Sequence, residues 1–160
     1  MGIFVNKTSL RFALIAGLAG MLSACAMAPY VEPKSGKTAE MLVRIVPAHG
    51  TLFYLSTYDD AQSCSGEKQM IGDSNRINVS KFILAADKLV TLRYVETQGN
   101  ANCSMRFSFM AKSDHIYVLD GATKPGRCTA KLLDGTSLQQ LVPVPIANRN
   151  ADDNRCPGMN

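Results

Sequence analysis

Residues 89–96 read LVTLRYVE and have the pattern of a β-strand. This stretch is rich in β-branched and aromatic residues, which favour extended strands. Successive side chains of a strand point to opposite faces, so one face collects the even-numbered residues, which we expect to face the core. These are Val90, Leu92, Tyr94 and Glu96. The stretch 103–109 alternates in the same way, and its expected inward residues are Cys103, Met105, Phe107 and Phe109.

Other strand-like stretches lie on both sides, at a spacing of roughly ten residues that is typical of sandwiches and barrels. They are residues 40–46, 51–58, 77–79, 82–84, 115–119, 128–133 and 138–142. We expect Asp59–Asn75 to be a loop around Cys64 with a short strand near Met70. We also expect a hairpin turn at 112–114 and a loop at 121–127. No segment has the pattern of an amphipathic helix, so the sequence predicts an antiparallel β-sandwich of seven or eight strands.

The N-terminus has the composition of a signal peptide. Lys7 and Arg11 are the only charged residues before an apolar run that extends from Phe12 to Leu22. As a helix this run would be about 16 Å long, which is too short to cross a hydrocarbon core of about 30 Å. A targeting signal therefore fits the run better than a transmembrane span.

The apolar run ends in Leu22-Ser23-Ala24-Cys25, which resembles the lipobox of bacterial lipoproteins. The resemblance implies that residues 1–24 are a lipoprotein signal peptide and that Cys25 becomes the lipid-modified first residue. Two or three acyl chains would hold the domain firmly on a membrane. Because Ala and not Asp follows Cys25, the enterobacterial sorting pattern favours the outer membrane. The alternative is an ordinary secretory signal, cut after Ala24 or Ala26, with Cys25 incidental.

The mature chain is nearly neutral. Removal of residues 1–24 takes away two of the 17 basic residues and none of the 13 acidic ones, which leaves a net charge near +2. Such a balance does not indicate a nucleic-acid partner. We expect residues 25–38 to be the lipidated cysteine and a flexible tether, 39–146 the sandwich domain, and 147–160 a polar tail that a disulfide holds in place.

Four cysteines remain beside Cys25. They are Cys64, Cys103, Cys128 and Cys156. In an exported chain an even number of cysteines predicts disulfides, here two. Their spacing contains no CxxC pair and no nearby histidine cluster, so we expect no metal site.

Sequence alone does not choose among the three possible pairings. If Ser113 centres a hairpin, Cys103 falls opposite residue 123, close to where Cys128 opens the next strand. This favours Cys103 with Cys128 and Cys64 with Cys156. The pairing of Cys64 with Cys103 and Cys128 with Cys156 uses similar loop lengths and stays open.

Several features together resemble small proteobacterial lipoproteins of uncharacterised function with an immunoglobulin-like or transthyretin-like sandwich. They are the lipobox, the FYL-containing strand 51–58, the strand from Cys103 to Phe109, the HIYVL strand at 115–119, and Arg127-Cys128 leading to Asp134-Gly135. The resemblance covers about residues 40–145. It implies the fold, and it carries no catalytic residues over to this chain.

No stretch of the sequence has a catalytic pattern. GxSxG, HExxH, P-loop and GxGxxG stretches do not occur. We interpret His49 and His115 as exposed turn residues, Asp59 and Asp60 as a solvated loop pair, and Cys64 as an oxidised rather than a nucleophilic cysteine.

Two classes of function therefore remain, and neither requires a cofactor. The first is a non-catalytic envelope protein that binds another envelope protein through an edge strand or its loops, for example as an inhibitor of a cell-wall lytic enzyme. The second is a hydrolase of cell wall or lipid. An enzyme should have a concave pocket with convergent titratable groups, whereas a binding module should have an apolar patch or an open strand edge.

Overall fold

The computed structural model describes residues 27–47, 49–75, 78–124, 127–137 and 139–149. At positions 73, 78, 101, 122–124, 127 and 128 only the backbone is described. The described residues form strands and connecting segments without a helix, which confirms the all-β prediction. The strands are β1 (Ala28–Pro29), β2 (Thr38–Val46), β3 (Thr51–Asp60), β4 (Ser65–Ser74), β5 (Asn78–Ala85), β6 (Lys88–Gln98), β7 (Ala101–Ala111), β8 (Ile116–Lys124), β9 (Arg127–Asp134), β10 (Val142–Pro143) and β11 (Ala147–Asn148).

The strands form two sheets that share one core. Sheet A has the order β1-β4-β3-β6-β7-β11, and sheet B has the order β10-β9-β8-β2-β5. The core draws buried side chains from both sheets, among them Met41 and Val43 of sheet B and Leu55 and Leu92 of sheet A. The sandwich is not wholly antiparallel, because β2 pairs with β8, and β1 with β4, in parallel.

The predicted inward residues of β6 and β7 lie on the core side, although Thr91, Val95, Arg106 and Ser108 on the opposite face of sheet A are buried as well. Leu92, Tyr94 and Glu96 are buried, and so are Phe107 and Phe109. The remaining predicted inward residues, Val90, Cys103 and Met105, are half-buried. Strand β2 alternates strictly, with its odd-numbered residues from Ala39 to Ile45 buried.

The predicted hairpin at 112–114 is wrong. β7 belongs to sheet A and β8 to sheet B, so this segment is an arch that crosses from one sheet to the other. The two strands face each other across the core, where the rings of Phe109 and Tyr117 lie 5.0 Å apart. The Tyr117 hydroxyl accepts a hydrogen bond from the Lys112 amide at 2.9 Å, which fixes the arch against sheet B.

The predicted loop at 59–75 is also wrong, because Ser65–Ser74 is a ten-residue strand. Its backbone pairs with β3, although Ile71 is its only buried residue among the described side chains. Strands near a sheet edge bury little apolar surface and are often polar. Residues 65–74 read SGEKQMIGDS, and this polar composition does not indicate a strand. Backbone pairing stabilises the strand instead.

Strand β8 is longer than predicted, because it continues to Lys124 and pairs there with Arg127 of β9. The expected loop at 121–127 is thus mostly strand. A β-carbon at Gly121 would lie 3.2 Å from Ile45 and 3.3 Å from the Tyr94 ring, so this strand position needs the small residue. The expected strand at 138–142 is reduced to β10.

Residues 28–32, which fall within the segment 25–38 expected to be a flexible tether, contact both sheets. Ala28–Pro29 pairs with β4 of sheet A. The Tyr30 hydroxyl then donates to the Ile83 carbonyl of sheet B at 2.7 Å, and the Ile83 amide donates to Glu32 at 2.9 Å. This segment closes one side of the sandwich.

The C-terminal segment closes the opposite side. β10 pairs with β9 at the edge of sheet B, and β11 pairs with β7 at the edge of sheet A. The Arg149 amide donates to the Arg106 carbonyl at 2.7 Å. The Arg149 side chain is buried and donates to the carbonyls of Ala61 and Gln62. Residues 147–149, expected as part of a tail, therefore belong to the sandwich.

We expect the Tyr30→Phe variant to lower the free energy of unfolding by about 1 kcal/mol, the usual contribution of one hydrogen bond. Phenylalanine keeps the ring packing against Phe82 but leaves the Ile83 carbonyl without its donor. Urea unfolding of both proteins measures the difference. Glu32→Gln is the control, because it keeps an acceptor for the Ile83 amide and should change the stability less. Equal stability of Tyr30→Phe and the unaltered protein would contradict the closing role of Tyr30.

Candidate functional site

Strand β5 has a backbone edge that is covered only in part. It is the last strand of sheet B, with β2 on one side. The amide and carbonyl of Ile83 both point away from β2, because they bond to Glu32 and Tyr30. In an antiparallel pair, residues two apart along a strand point their backbone groups the same way. The amides and carbonyls of Lys81 and Val79 therefore also point outward, beyond the reach of the N-terminal segment.

The outer face of sheet B continues this edge as a surface on which apolar and charged side chains alternate. The side chains of Val79, Leu42 and Val46 are exposed, that of Val79 by 74%. Leu42 lies in register between Lys81 and Val118, and Val79 lies opposite Arg44. We call this surface, with the open part of β5, the β5 surface.

Two ion pairs lie among the apolar side chains of the β5 surface. Arg44 donates two hydrogen bonds to Asp120, at 2.9 and 2.6 Å. This hydrogen bonding to Arg44, with the charge of the guanidinium, holds the pKa of Asp120 below its usual range. Lys81 pairs with Glu40 at 2.7 Å. The charges are fixed in cross-strand pairs, so the surface is suited to an extended, mostly apolar partner segment.

A second candidate lies at the arch between β7 and β8. His115, expected as an exposed turn residue, is half-buried, and its Nδ1 lies 2.6 Å from Asp134 Oδ2. Burial alone would raise the pKa of Asp134, but the hydrogen bonds from Thr136 and His115 outweigh it and lower the pKa. The hydrogen bond between the Asp134 carboxylate and Nδ1 fixes the orientation of the imidazole ring.

A pocket of about 680 Å³ adjoins this pair. Its lining is largely apolar and includes Met110, Tyr117, Asp134, Val142, Pro143 and Val144. Ser137 lines the same pocket, but the structure gives it no hydrogen bond to His115. The arrangement can bind a small apolar group beside a carboxylate, and it lacks the hydrogen-bonded nucleophile and base of a hydrolytic site in the described residues.

The outer face of sheet A carries a polar network that was not predicted from the sequence. Arg93 forms an ion pair with Glu67, which also accepts a hydrogen bond from Ser56. Arg106 donates to the Tyr58 hydroxyl at 3.0 Å and lies over the Tyr58 ring. Only the alternation of charged and apolar residues in 89–96 and 103–109 hinted at this face. Its groups bind one another, which indicates a structural role.

The other residues singled out from the sequence are dispersed. His49 is exposed in the turn after β2. Asp59 pairs with Lys68 at 3.0 Å, whereas Asp60 accepts hydrogen bonds from the amides of Gln62 and Ser63. The two carboxylates thus serve different local contacts and do not converge on a cleft. In the part of the chain that the structure describes, no group of three His, Cys, Asp or Glu side chains could hold a metal ion.

The cysteines fall in three different parts of the fold. Cys64 lies in the turn after β3 and Cys103 in β7, and each is disulfide-bonded. Cys128 is the second residue of β9, where only its backbone is described, and Cys25 and Cys156 lie outside the described residues. The identities of the bonded partners therefore stay a prediction.

Strand register excludes a bond between Cys64 and Cys103. Cys103 pairs with Glu96, and Glu96 pairs with Phe53 near the start of β3. Cys64 follows Asp60, at the far end of β3. Phe53 and Asp60 are seven residue steps apart in an extended strand, so their Cα atoms are separated by about 23 Å. The Cα atoms of two disulfide-bonded cysteines lie within about 7 Å of each other.

Register instead brings Cys103 and Cys128 to the same end of the sandwich. Cys128 pairs with Thr123, and the neighbouring Ala122 pairs with Val46 at the end of β2. β3 starts only a few residues after Val46, next to the strand end that carries Cys103. β7 and β9 also approach each other across the sandwich. The hairpin from which this pairing was first inferred does not exist, but the two facing strands support the same pairing.

Comparison with known proteins gives no relative. No protein-family model, no curated protein and no solved structure matches the chain. Within the described residues, no helix is long and apolar enough to cross a bilayer.

We expect tryptic digestion without reduction to yield two crosslinked peptide pairs. One joins residues 94–106 to 128–131 through Cys103 and Cys128, and the other joins 45–68 to 156–160 through Cys64 and Cys156. Mass spectrometry before and after reduction identifies both. A crosslink between 94–106 and 156–160 would show that the pairing predicted here is wrong.

Proposed function

We propose that the protein is a non-catalytic envelope lipoprotein, anchored to the outer membrane through lipid on Cys25, that binds an extended segment of another envelope protein. The lipobox and the preceding signal-like segment support the anchor. The open edge of β5 at Val79 and Lys81 supports the binding role, and it is the observation that carries the proposal. An added strand would pair with these backbone groups and place alternate side chains on Leu42 and Val79.

The hydrolase alternative has one supporting observation, the His115–Asp134 pair beside the 680 Å³ pocket. It ranks second because an oriented imidazole needs a nucleophile or an activated water within hydrogen-bond reach. The β5 surface needs no further group to bind a strand.

We expect the Cys25→Ser variant to lose lipid labelling and to move into the soluble fraction of lysed cells. Two or more acyl chains supply the membrane affinity in this proposal, and no charge patch replaces them. Labelling with a radioactive fatty acid and fractionation after a high-salt wash measure both effects. If the variant still sedimented with membranes after the wash, which screens charge attraction, the anchoring proposal would fail.

The binding role is tested by a photoreactive amino acid at position 79 in the intact, lipidated protein. We expect a discrete crosslinked protein from this position and none from position 52. Leu52 is the matched control, because it is 44% exposed on β3, which has neighbours on both sides.

The Lys81→Pro variant sharpens the test. The Lys81 amide points away from β2, so proline there should leave sheet B intact while removing a donor that an added strand requires. We expect Lys81→Pro to abolish the crosslink from position 79. Lys81→Ala loses the ion pair with Glu40 but keeps the amide, and it should retain the crosslink. A crosslink that survives Lys81→Pro in a folded protein would overturn binding by strand addition.

A further inference from the structure

The two ends of the sandwich differ in what they carry. At one end, Asp87 bonds to two neighbouring parts of the chain. Its carboxylate forms an ion pair with Lys37 and accepts a hydrogen bond from Ser113, and its amide donates to the Ala111 carbonyl. We call this the Asp87 end. At the other end lies the turn at Gly99, where Gln98 donates to the His49 carbonyl. We call this the Gly99 end.

Strand β1 has a fixed direction relative to the two ends of the sandwich. It runs parallel to β4, with Ala28 opposite Lys68. Residues that precede Lys68 in β4 lead to Ser65, which pairs with Asp60 at the Asp87 end. Ala28 also lines a cleft of about 590 Å³ together with Lys88, the first residue of β6 at that end. Strand β1 therefore has its N-terminal end directed toward the Asp87 end.

The covalent reach from the anchor is short. Three residue steps separate Cys25 from Ala28, so their Cα atoms lie at most about 11 Å apart. The sandwich is much longer, because the eleven residues of β6 alone extend for roughly 33 Å between its two ends. A lipid on Cys25 therefore keeps the domain close to the bilayer. While β1 stays paired with β4, the connection is also too short for the Gly99 end to reach the bilayer.

We propose that the Asp87 end of the sandwich lies directly on the phospholipid headgroups, with the Gly99 end pointing away from the membrane. This rests on the proposed lipidation of Cys25, and the occupant of the surface is the bilayer that holds its acyl chains. At this end Lys37, Lys88 and Lys112 are exposed, but so are the carboxylates Asp87 and Asp114, and Lys37 forms an ion pair with Asp87. The orientation is thus set by the short connection and by β1 rather than by net charge.

The two ends of β6 provide matched reporter positions. The sequence contains no tryptophan, so a single introduced one is the only indole in the protein. Lys88 and Gln98 are both exposed and mark the Asp87 end and the Gly99 end of one strand. The lipidated Lys88→Trp and Gln98→Trp proteins are reconstituted in vesicles of phosphatidylethanolamine and phosphatidylglycerol, with or without bromine on the acyl chains.

We expect brominated lipid to reduce the fluorescence of the Lys88→Trp protein and to leave that of the Gln98→Trp protein unchanged. Lys88→Trp in a Cys25→Ser background, added to the same vesicles, should show no reduction, which excludes attraction by the indole itself. Equal fluorescence loss at both positions in lipidated protein would overturn the orientation and leave the anchor intact. A mass spectrum without lipid on Cys25 would overturn the anchor and the orientation together.

Discussion

The unpaired edges of the two sheets set the main constraint on how this chain folds. Each sheet of an open sandwich ends in a strand with unpaired backbone amides and carbonyls, which must find partners or remain in water. In this chain the terminal segments supply some of the partners. β1, β11 and β10 pair over two residues each with β4, β7 and β9, and Tyr30 and Glu32 cover β5 at Ile83, which leaves Lys81 and Val79 in an open part of the β5 edge. The extent of that opening is set by where Tyr30 and Glu32 stop covering it.

The sequence predicted those parts of the fold in which burial decides the side-chain pattern. Residues 89–96 and 103–109 lie in the middle of sheet A, where one face is sealed against sheet B, and their alternation is correspondingly clear. The prediction failed for β4, because this strand is stabilised by backbone pairing. Backbone hydrogen bonds do not require particular residue types, so the sequence of β4 does not reveal them. It failed again at 112–115, because a turn between two strands has the same composition whether the strands pair in one sheet or cross to another.

The candidate site was harder to predict from sequence than the fold. The open edge of β5 depends on strand order, and strand order follows from which segments cross between the sheets. Val79 does not distinguish an edge strand from a central one, and a single lysine such as Lys81 is too weak a signal to do so alone. The His115–Asp134 pair was missed for a related reason. The two residues are 19 positions apart, and only the antiparallel pairing of β8 with β9 brings them together.

The nature of the β5 edge also favours a foreign strand over a second copy of the chain. If two copies paired antiparallel through β5 with Lys81 at the centre, the two lysines would lie directly opposite each other on the same face. Like charges in that position are destabilising, and a lysine on an edge strand is a common protection against such pairing. Glu40 neutralises Lys81 within one copy but lies on β2, one strand away from the new partner. A partner strand with an acidic or apolar residue opposite Lys81 would avoid this repulsion, and its next residues on the same face would then contact the exposed Val79.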